Sequence, residues 1–182
     1  TATAFDIYRP SNVILTSGSS GFPKAAVHNL ANHIANAEGA RSLIPLVAGD
    51  AWLLSLPLFH IGGLAILNRC ALVAATVVLP DLALPLQVQI ERDALTHMSL
   101  VPTQLVNLLT DKQASLHSIK ALLLGGGAVS IDLLKQLEQR HIASFTSYGM
   151  TEMGSQITTG PALSDGSSGK LLPRRELKIV DG

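Results

Sequence analysis

Short apolar runs alternate with longer helical segments along most of the chain, and this alternation restricts the fold more than any other feature. The run Ala121–Leu124 is apolar at every position, which is typical of a strand buried on both faces of a parallel sheet. Strands that alternate with helices are joined by right-handed crossovers. The pattern therefore predicts an α/β fold with an open, mostly parallel, doubly wound sheet.

The element boundaries follow from apolar periodicity and from glycine, proline and capping residues. The predicted strands are Asn12–Thr16, Ala51–Leu56, Thr76–Leu79, His97–Val101, Lys120–Leu124, Ala143–Thr146 and Glu176–Val180. The predicted helices span about Ala25–Ile44, Gly63–Val73, Pro85–Ala94, Thr103–Leu109 and Ile131–Arg140. The segment Pro161–Lys170 is rich in glycine, serine and aspartate, and we expect it to be an exposed loop.

The helix Ile131–Arg140 has the strongest local signals. Ser130 is a favourable N-cap, and Asp132 lies in the first turn, where a negative charge stabilises a helix. Ile131, Leu134 and Leu137 are spaced to line one apolar face.

Composition excludes several classes of protein. The 182 residues are 47% hydrophobic and 14% charged, which excludes a disordered chain. Thirteen Lys and Arg balance thirteen Asp and Glu, so we expect no nucleic-acid or membrane partner. The single cysteine, Cys70, excludes a disulfide framework. The six histidines lack HxxxH spacing, so a metal held by protein ligands alone is not expected.

The stretch Ala51–Pro80 is weakly charged, but its pattern is not that of a transmembrane helix. Pro57, His60 and Arg69 interrupt it, and it is better interpreted as strand, turn, helix and strand. No signal peptide or transit sequence is visible, so we expect a cytoplasmic protein. The chain begins at Thr1 without a methionine and ends directly after a strand-like run, so we expect it to be part of a longer protein.

Three charged residues lie in otherwise uncharged sequence. Lys24, Arg69 and Glu152 are the only charged residues in the stretches 10–37, 51–80 and 141–164, respectively. A charge in apolar surroundings is costly unless a protein group or a ligand pairs with it. Each side chain could also reach water from a helix or loop. Two of the three end glycine-rich or turn motifs that follow predicted strands, which favours a ligand.

The first of these motifs is Thr16-Ser17-Gly18-Ser19-Ser20-Gly21-Phe22-Pro23-Lys24. Small residues let the backbone approach a phosphate, while N–H groups, hydroxyls and the lysine supply donors and charge. The motif is not a Walker A loop, which needs Gly-Lys-[Ser/Thr] at the start of a helix. Composition alone also allows a flexible turn.

Taken whole, this motif resembles the nucleotide loop of the adenylate-forming superfamily, which includes acyl-CoA synthetases, luciferases and adenylation domains. The family pattern Thr-Ser-Gly-Ser/Thr-Thr-Gly-x-Pro-Lys differs here only at Ser20. Two further motifs follow in the family's order. Gly125-Gly126-Gly127-Ala128-Val129-Ser130 resembles its adenine turn, and Ser147-Tyr148-Gly149-Met150-Thr151-Glu152 resembles the turn whose tyrosine stacks on adenine.

The resemblance covers essentially the whole chain and implies that residues 1–182 are a partial AMP-binding (adenylation) domain. Such a fragment belongs to the large N-terminal domain of the family's enzymes. The preceding N-terminal portion and the small C-terminal domain are then absent, together with the ribose-binding aspartate and the adenylation lysine. Lys170 lies in the predicted loop before the last strand and is not that lysine.

The resemblance also implies an activity, with ATP, Mg²⁺ and CoA as cofactor and co-substrates. A small-molecule carboxylic acid attacks the α-phosphate of ATP, and a thiol then displaces AMP from the acyl-adenylate. A carboxylate with a pKa of about 4 is ionised at neutral pH, so the first step needs charge neutralisation and alignment rather than a base. The implied catalytic residues are Lys24, Thr151, Glu152 and His60, with Glu152 holding Mg²⁺. The implied ATP- and AMP-binding residues are Thr16, Ser17, Gly18, Ser19, Ser20, Gly21, Lys24, Gly125, Gly126, Gly127, Ala128, Ser147, Tyr148, Gly149, Met150 and Thr151.

The identity of the substrate acid is suggested by a residue that could bind a second carboxylate. Leu56-Pro57-Leu58-Phe59-His60 resembles the family's turn whose histidine lies beside the acyl pocket. Arg69 falls on an apolar face of its predicted helix, and a buried arginine favours a carboxylate partner. No acidic residue lies nearby in sequence, so a substrate with a second carboxylate is a suitable partner.

One branch of the superfamily fits this interpretation, the o-succinylbenzoate–CoA ligases of menaquinone biosynthesis. The stretches 52–60, 99–105 and 147–152 resemble that branch. With the resemblance, His60 and Thr103 are expected to be substrate residues, beside Arg69, which is selected by its expected burial. Two alternatives stay open. One is another acyl- or aryl-CoA ligase, in which Arg69 is a surface or packing residue, and the other is a nucleotide-binding fragment that is inactive by itself.

Overall fold

A computed structural model describes residues 5–16, 22, 24–110 and 115–180. The strands within these ranges are β1 Pro10–Thr16, β2 Lys24–Asn29, β3 Ala51–Leu53, β4 Thr76–Val78, β5 His97–Leu100, β6 Ala121–Leu124, β7 Ser144–Met150, β8 Ser155–Pro161 and β9 Lys170–Leu171. The α-helices are α1 Leu30–Arg41, α2 Ile61–Val73, α3 Leu86–Arg92, α4 Pro102–Thr110 and α5 Ile131–Gln139. A short 3-10 helix spans Thr151–Met153.

Seven strands form one sheet in the order β4-β3-β5-β6-β7-β8-β9, and β1 and β2 form a separate antiparallel hairpin. The pairs from β4 to β7 are parallel, whereas β8 and β9 add to the sheet in antiparallel fashion. The predicted α/β fold with a mostly parallel sheet is therefore confirmed.

Helices cover both faces of the sheet because its central strand β6 is apolar on both faces. Leu122 and Leu124 of β6 belong to a core with residues of α3, α4 and α5. Ala121 and Leu123, on the opposite face, belong to a core with Ile66 of α2. Full burial of a leucine contributes about 1.5–3 kcal/mol, so both layers stabilise the central strands.

The hairpin corrects one predicted boundary. The sequence predicted a helix from Ala25, but residues Lys24–Asn29 form β2, which pairs with β1, and α1 begins at Leu30. Asn29 and Asn32 form a reciprocal capping box with hydrogen bonds of 2.9 and 3.0 Å. This capping box marks the helix start, and pairing with a distant strand overrides the helical pattern before it.

The last predicted strand is wrong. Glu176–Val180 forms no strand, and Leu177, Ile179 and Val180 are exposed. Residues with a high strand propensity form a strand only where a neighbouring strand can hydrogen-bond to their backbone. Glu176–Val180 pairs with none of the described strands. The predicted loop Pro161–Lys170 lies between β8 and β9 and includes the last residue of β8 and the first of β9. Strand β8 itself was not predicted, because its sequence is largely polar.

Helix α5 confirms the predicted cap but not the whole predicted face. The side chain of Ser130 accepts a hydrogen bond of 3.4 Å from the Leu133 amide, and Leu134 and Leu137 are buried. Ile131 is 51% exposed, so the buried face of α5 is narrower than the spacing predicted. None of the helices in the described part of the chain is long and apolar enough to cross a membrane.

Candidate active site

A cavity of about 520 Å³ opens at the carboxyl ends of β3, β5 and β6. From β3 the chain crosses to β4 on one side and then returns to β5 on the other side of β3. Open α/β sheets bind ligands at such a reversal of strand order. The lining residues are Leu56, Pro57, His60, Ile61, Gly62, Arg69, Ser99, Leu100, Val101, Gln104, Leu123, Gly125, Gly126, Ser147, Gly149, Met150, Thr151, Ser155 and Gln156.

Helix α2 carries two of the predicted residues to this cavity. His60 is its exposed N-cap residue, with its ring 4.6 Å from that of Phe59. Arg69 is only 4% exposed, because its neighbours Ile66 and Cys70 pack against the sheet. The apolar pattern around Arg69 therefore correctly predicted its burial.

The guanidinium of Arg69 lies over an aromatic ring. Its central carbon is 5.3 Å from the ring centroid of Trp52, which is within the range of a cation–π contact. The Trp52 indole N–H donates a hydrogen bond of 3.2 Å to Ser99 Oγ, which holds the ring in place. Trp52 is fully buried, so this aromatic support is rigid.

Arg69 has no carboxylate partner within the described ranges. Its Nη2 donates a hydrogen bond of 2.5 Å to Gln156 Oε1, and its buried Nε has no hydrogen-bond partner there. Burial lowers the pKa of Arg69 to about 10, so the group stays protonated at neutral pH. A buried cation and a free donor at the cavity wall can bind an anionic ligand.

Two separate segments, which follow β6 and form the end of β7, bring predicted nucleotide-binding residues to the same cavity. These residues are Gly125, Gly126, Ser147, Gly149, Met150 and Thr151. Ser147 Oγ donates a hydrogen bond of 3.1 Å to the Leu124 carbonyl and so links β7 to the end of β6. Gly126 has a φ of 77°, which favours glycine, and its position lets the backbone turn at the cavity edge.

The β7–β8 pairing contains a bulge between Tyr148 and Gly149. A Cβ atom at Gly149 would lie 2.0 Å from the carbonyl oxygen of Ser155, so only glycine allows this close approach. The 3-10 helix follows β7 directly, with the exposed Glu152 as its second residue.

Other predicted site residues do not line this cavity. Lys24 is exposed at the start of β2, Tyr148 is 51% exposed, and Thr103 is exposed on α4, where its neighbour Gln104 faces the cavity instead. Thr16, Gly127, Ala128 and Glu152 also lie outside the lining. Ser17, Gly18, Ser19, Ser20 and Gly21 fall outside the described residues.

Sequence reasoning missed four polar residues of the lining, which are Ser99, Gln104, Ser155 and Gln156. Gln104 accepts a hydrogen bond of 3.0 Å from the Val101 amide and donates one of 3.3 Å to the Ser55 carbonyl, which fixes the start of α4. Its spacing of three residues from Val101 was a usable signal. Ser99 and Gln156 offered none, because their roles depend on partners distant in the chain.

Glu152 is the predicted magnesium ligand. It is exposed, forms no ion pair with a described residue, and adjoins the cavity through Thr151. The described residues contain no group of three or more His, Cys, Asp or Glu that could hold a metal. A single carboxylate suits Mg²⁺ when a nucleotide supplies further oxygens, so the residues present fit this ion.

Comparison with known proteins gives a consistent result. The family described as AMP-binding enzyme matches residues 4–182. The 2-succinylbenzoate–CoA ligase of Escherichia coli is 43% identical over 173 residues, which are 95% of this chain and 37% of that protein. The chain thus spans less than two fifths of the length of this curated relative.

Two solved structures of o-succinylbenzoate coenzyme A synthetase from Bacillus subtilis are similar to this fold at 34% identity. The complex with ATP and magnesium ion has a TM-score of 0.88, and the complex with the acyl-adenylate intermediate has a TM-score of 0.89. Each comparison covers 97% of this chain and 38% of the other.

Proposed function

Because this chain belongs to the AMP-binding enzyme family, we propose that its protein activates a carboxylic acid with ATP and transfers the acyl group to CoA. A carboxylate oxygen of the acid attacks the α-phosphorus, the bond to the β-phosphate oxygen breaks, and pyrophosphate leaves. The CoA sulfur then attacks the acyl carbonyl, AMP leaves, and the thiol proton is released. The similarity to a ligase and to complexes with ATP and an acyl-adenylate supports this reaction.

The chain's own residues have separate tasks in this proposal. Thr151 and the turn Gly125–Gly127 bind the nucleotide at the cavity edge, while Tyr148 stacks on adenine. Lys24 supplies positive charge at the phosphates, Ser17–Gly21 donate hydrogen bonds to them, and His60 lies beside the reacting carboxylate. Glu152 would hold Mg²⁺, which supplies charge neutralisation at the phosphates. None of these tasks needs a general base, because the acid is already ionised.

The substrate proposed is o-succinylbenzoate, whose succinyl carboxylate is activated while its aromatic carboxylate remains. The observation that carries this choice is Arg69, a buried cation at the cavity wall without an acidic partner among the described residues. A guanidinium binds a carboxylate through two parallel hydrogen bonds, which reads both charge and geometry. The product would be o-succinylbenzoyl-CoA, an intermediate of menaquinone biosynthesis in the cytoplasm.

The domain assignment is part of the same proposal. Residues 1–182 would form part of the large AMP-binding domain, and the remaining length of the relatives would supply the ribose-binding aspartate and the adenylation lysine. The share of about 37–38% that the chain covers supports this division.

Pyrophosphate release by the complete enzyme tests the proposal. We expect release that depends on o-succinylbenzoate and exceeds that with benzoate or octanoate by at least about 100-fold, the effect of leaving a buried charge unpaired. CoA should then convert the adenylate to a thioester, detectable by mass spectrometry. Equal rates with the monocarboxylic acids would instead favour another acyl- or aryl-CoA ligase. The isolated chain, assayed alongside, shows whether it binds nucleotide without turnover.

A further inference from the structure

The residue that contacts Arg69 in the protein is neutral. Arg69 Nη2 donates to Gln156 Oε1 at 2.5 Å, and both side chains are buried and line the cavity. No acidic side chain in the described part of the chain forms an ion pair with Arg69. The guanidinium is therefore held by a hydrogen bond that leaves its positive charge uncompensated.

The amide of Gln156 has only one orientation that satisfies its neighbours. Its Nε2 donates a hydrogen bond of 2.5 Å to Thr159 Oγ1, and that hydroxyl donates its proton to the Thr158 carbonyl at 2.7 Å. A guanidinium can only donate, so it needs the amide oxygen. The hydrogen bonds thus run in one direction, from Arg69 through Gln156 and Thr159 to the backbone, and each of these acceptors is uncharged.

The backbone of Gln156 is held as firmly as its side chain. Its carbonyl oxygen accepts hydrogen bonds of 3.2 Å from Asn36 Nδ2 and 3.3 Å from Arg175 Nε. Thr159 is fully buried and Gln156 is 3% exposed, so neither side chain can reorient into water. With Trp52 under its face, the Arg69 guanidinium is positioned before any ligand binds.

We propose that Gln156 is a specificity-determining positioning residue, which orients Arg69 while leaving its charge available to the non-reacting carboxylate of the substrate. The inference rests on the proposed function, since it assumes a substrate with two carboxylates. Glutamate at this position would have nearly the same size and would complete the ion pair within the protein. The substrate carboxylate would then meet a neutral pair with a like charge beside it, which disfavours binding.

The test compares Gln156→Glu with wild type in the complete enzyme. The two substrates are o-succinylbenzoate and 4-oxo-4-phenylbutanoate, which lacks only the aromatic carboxylate. We expect Gln156→Glu to lower kcat/KM for o-succinylbenzoate about 100-fold, mainly through KM, and to change the value for the analogue less than about threefold. If the ratio of the two kcat/KM values is the same in Gln156→Glu as in wild type, whether both values fall equally or neither falls, the inference is overturned.

The size-matched variant Gln156→Met keeps the inference testable if the glutamate variant fails to fold. It removes the acceptor without adding charge, so we expect KM for o-succinylbenzoate to rise about 10-fold and that for the analogue to stay unchanged. Equal changes for both substrates would show that Gln156 only packs. A wild-type enzyme without preference between the substrates would overturn the proposed function itself, whereas a wild-type preference that survives in Gln156→Glu overturns this inference alone.

Discussion

Lys120 Nζ lies 2.6 Å from Asp50 Oδ1, and this ion pair joins the residues that precede β6 and β3. Since β5 lies between these two strands, the pair spans the amino edge of the sheet, opposite the cavity. Asp50 is 2% exposed and also accepts a hydrogen bond of 2.9 Å from the Val47 amide. The contact fixes the edge of the sheet that lies farthest from the site.

Asp50→Asn should make the protein less stable in a pH-dependent way. Burial by itself raises the pKa of Asp50, but the hydrogen bonds from Lys120 and Val47 hold this pKa below its usual value. Such a carboxylate stabilises the fold above its unfolded pKa of about 3.9, and the stabilisation is lost as pH falls through the lower folded pKa. We expect a loss of about 1–3 kcal/mol at pH 7, measured by urea unfolding, that shrinks below about pH 4.

The pair of Arg92 and Asp93, joined at 2.8 Å with side chains 44% and 19% exposed, is accessible to solvent and provides the control. Asp93→Asn should change the free energy of unfolding much less than Asp50→Asn, because solvent screens an exposed pair. If the two substitutions lower the free energy of unfolding equally, the buried Asp50–Lys120 pair stabilises the fold no more than a solvent-accessible ion pair does.

Arg69→Ala should couple to the second carboxylate of the substrate. With o-succinylbenzoate and 4-oxo-4-phenylbutanoate, the four kcat/KM values of wild type and variant complete a double-mutant cycle. We expect a coupling energy of about 2–5 kcal/mol, because the variant leaves the substrate carboxylate buried without its partner. Arg69→Lys should also lose activity, since it keeps the charge but not the paired donors. A coupling energy near zero would mean that Arg69 does not bind the substrate.

Glu152→Gln and Lys24→Ala should respond differently to magnesium. The glutamine keeps the shape of Glu152 but weakens a metal ligand, so its loss of adenylation rate should be partly restored by excess Mg²⁺. Lys24→Ala removes a cation at the phosphates, with an expected loss of about 2–3 kcal/mol that Mg²⁺ does not restore. Lys170→Ala, an exposed lysine at the start of β9, is the matched control and should leave the rate unchanged. Restoration of both variants, or of neither, contradicts the assignment of the metal to Glu152.

Gly149→Ala should disrupt the β7–β8 bulge. Its Cβ would lie 2.0 Å from the Ser155 carbonyl oxygen, so the strands must separate, at a cost of about 1–3 kcal/mol in thermal or urea unfolding. Gly127→Ala offers a control, because its Cβ would lie 3.8 Å from the Pro102 ring, an ordinary contact. If both variants lose the same free energy of unfolding, the close approach of Ser155 to Gly149 is not the reason that glycine is needed there.

The local pattern of apolar residues predicted most of the helices and strands. The strands β3 to β6 and the helices α2, α3 and α5 lie within a few residues of their predicted positions, because burial on a sheet or helix face repeats at a period visible in the sequence. The burial of Arg69 followed from the same periodicity. The motif resemblance also named six nucleotide-binding residues, and His60, that the structure brings together at the cavity.

The parts that the pattern did not predict depend on which segments meet in the fold. Residues Lys24–Asn29 form a strand because β1 is available to pair with them, and Glu176–Val180 has no such neighbour among the described strands. A strand is stable only when a second backbone satisfies its N–H and C=O groups, and a propensity does not reveal that neighbour.

The contact between Arg69 and Gln156 joins residues 87 positions apart. It shows most clearly what a local sequence pattern does not predict. The sequence by itself determined that Arg69 would be buried and would need a partner, because its helix face is apolar. Only the tertiary structure decided that the partner within the protein is a neutral amide, since the antiparallel return of β8 brings Gln156 to α2. Buried polar residues follow no period: their positions are set by the hydrogen bonds that satisfy them, and those partners come from distant parts of the chain.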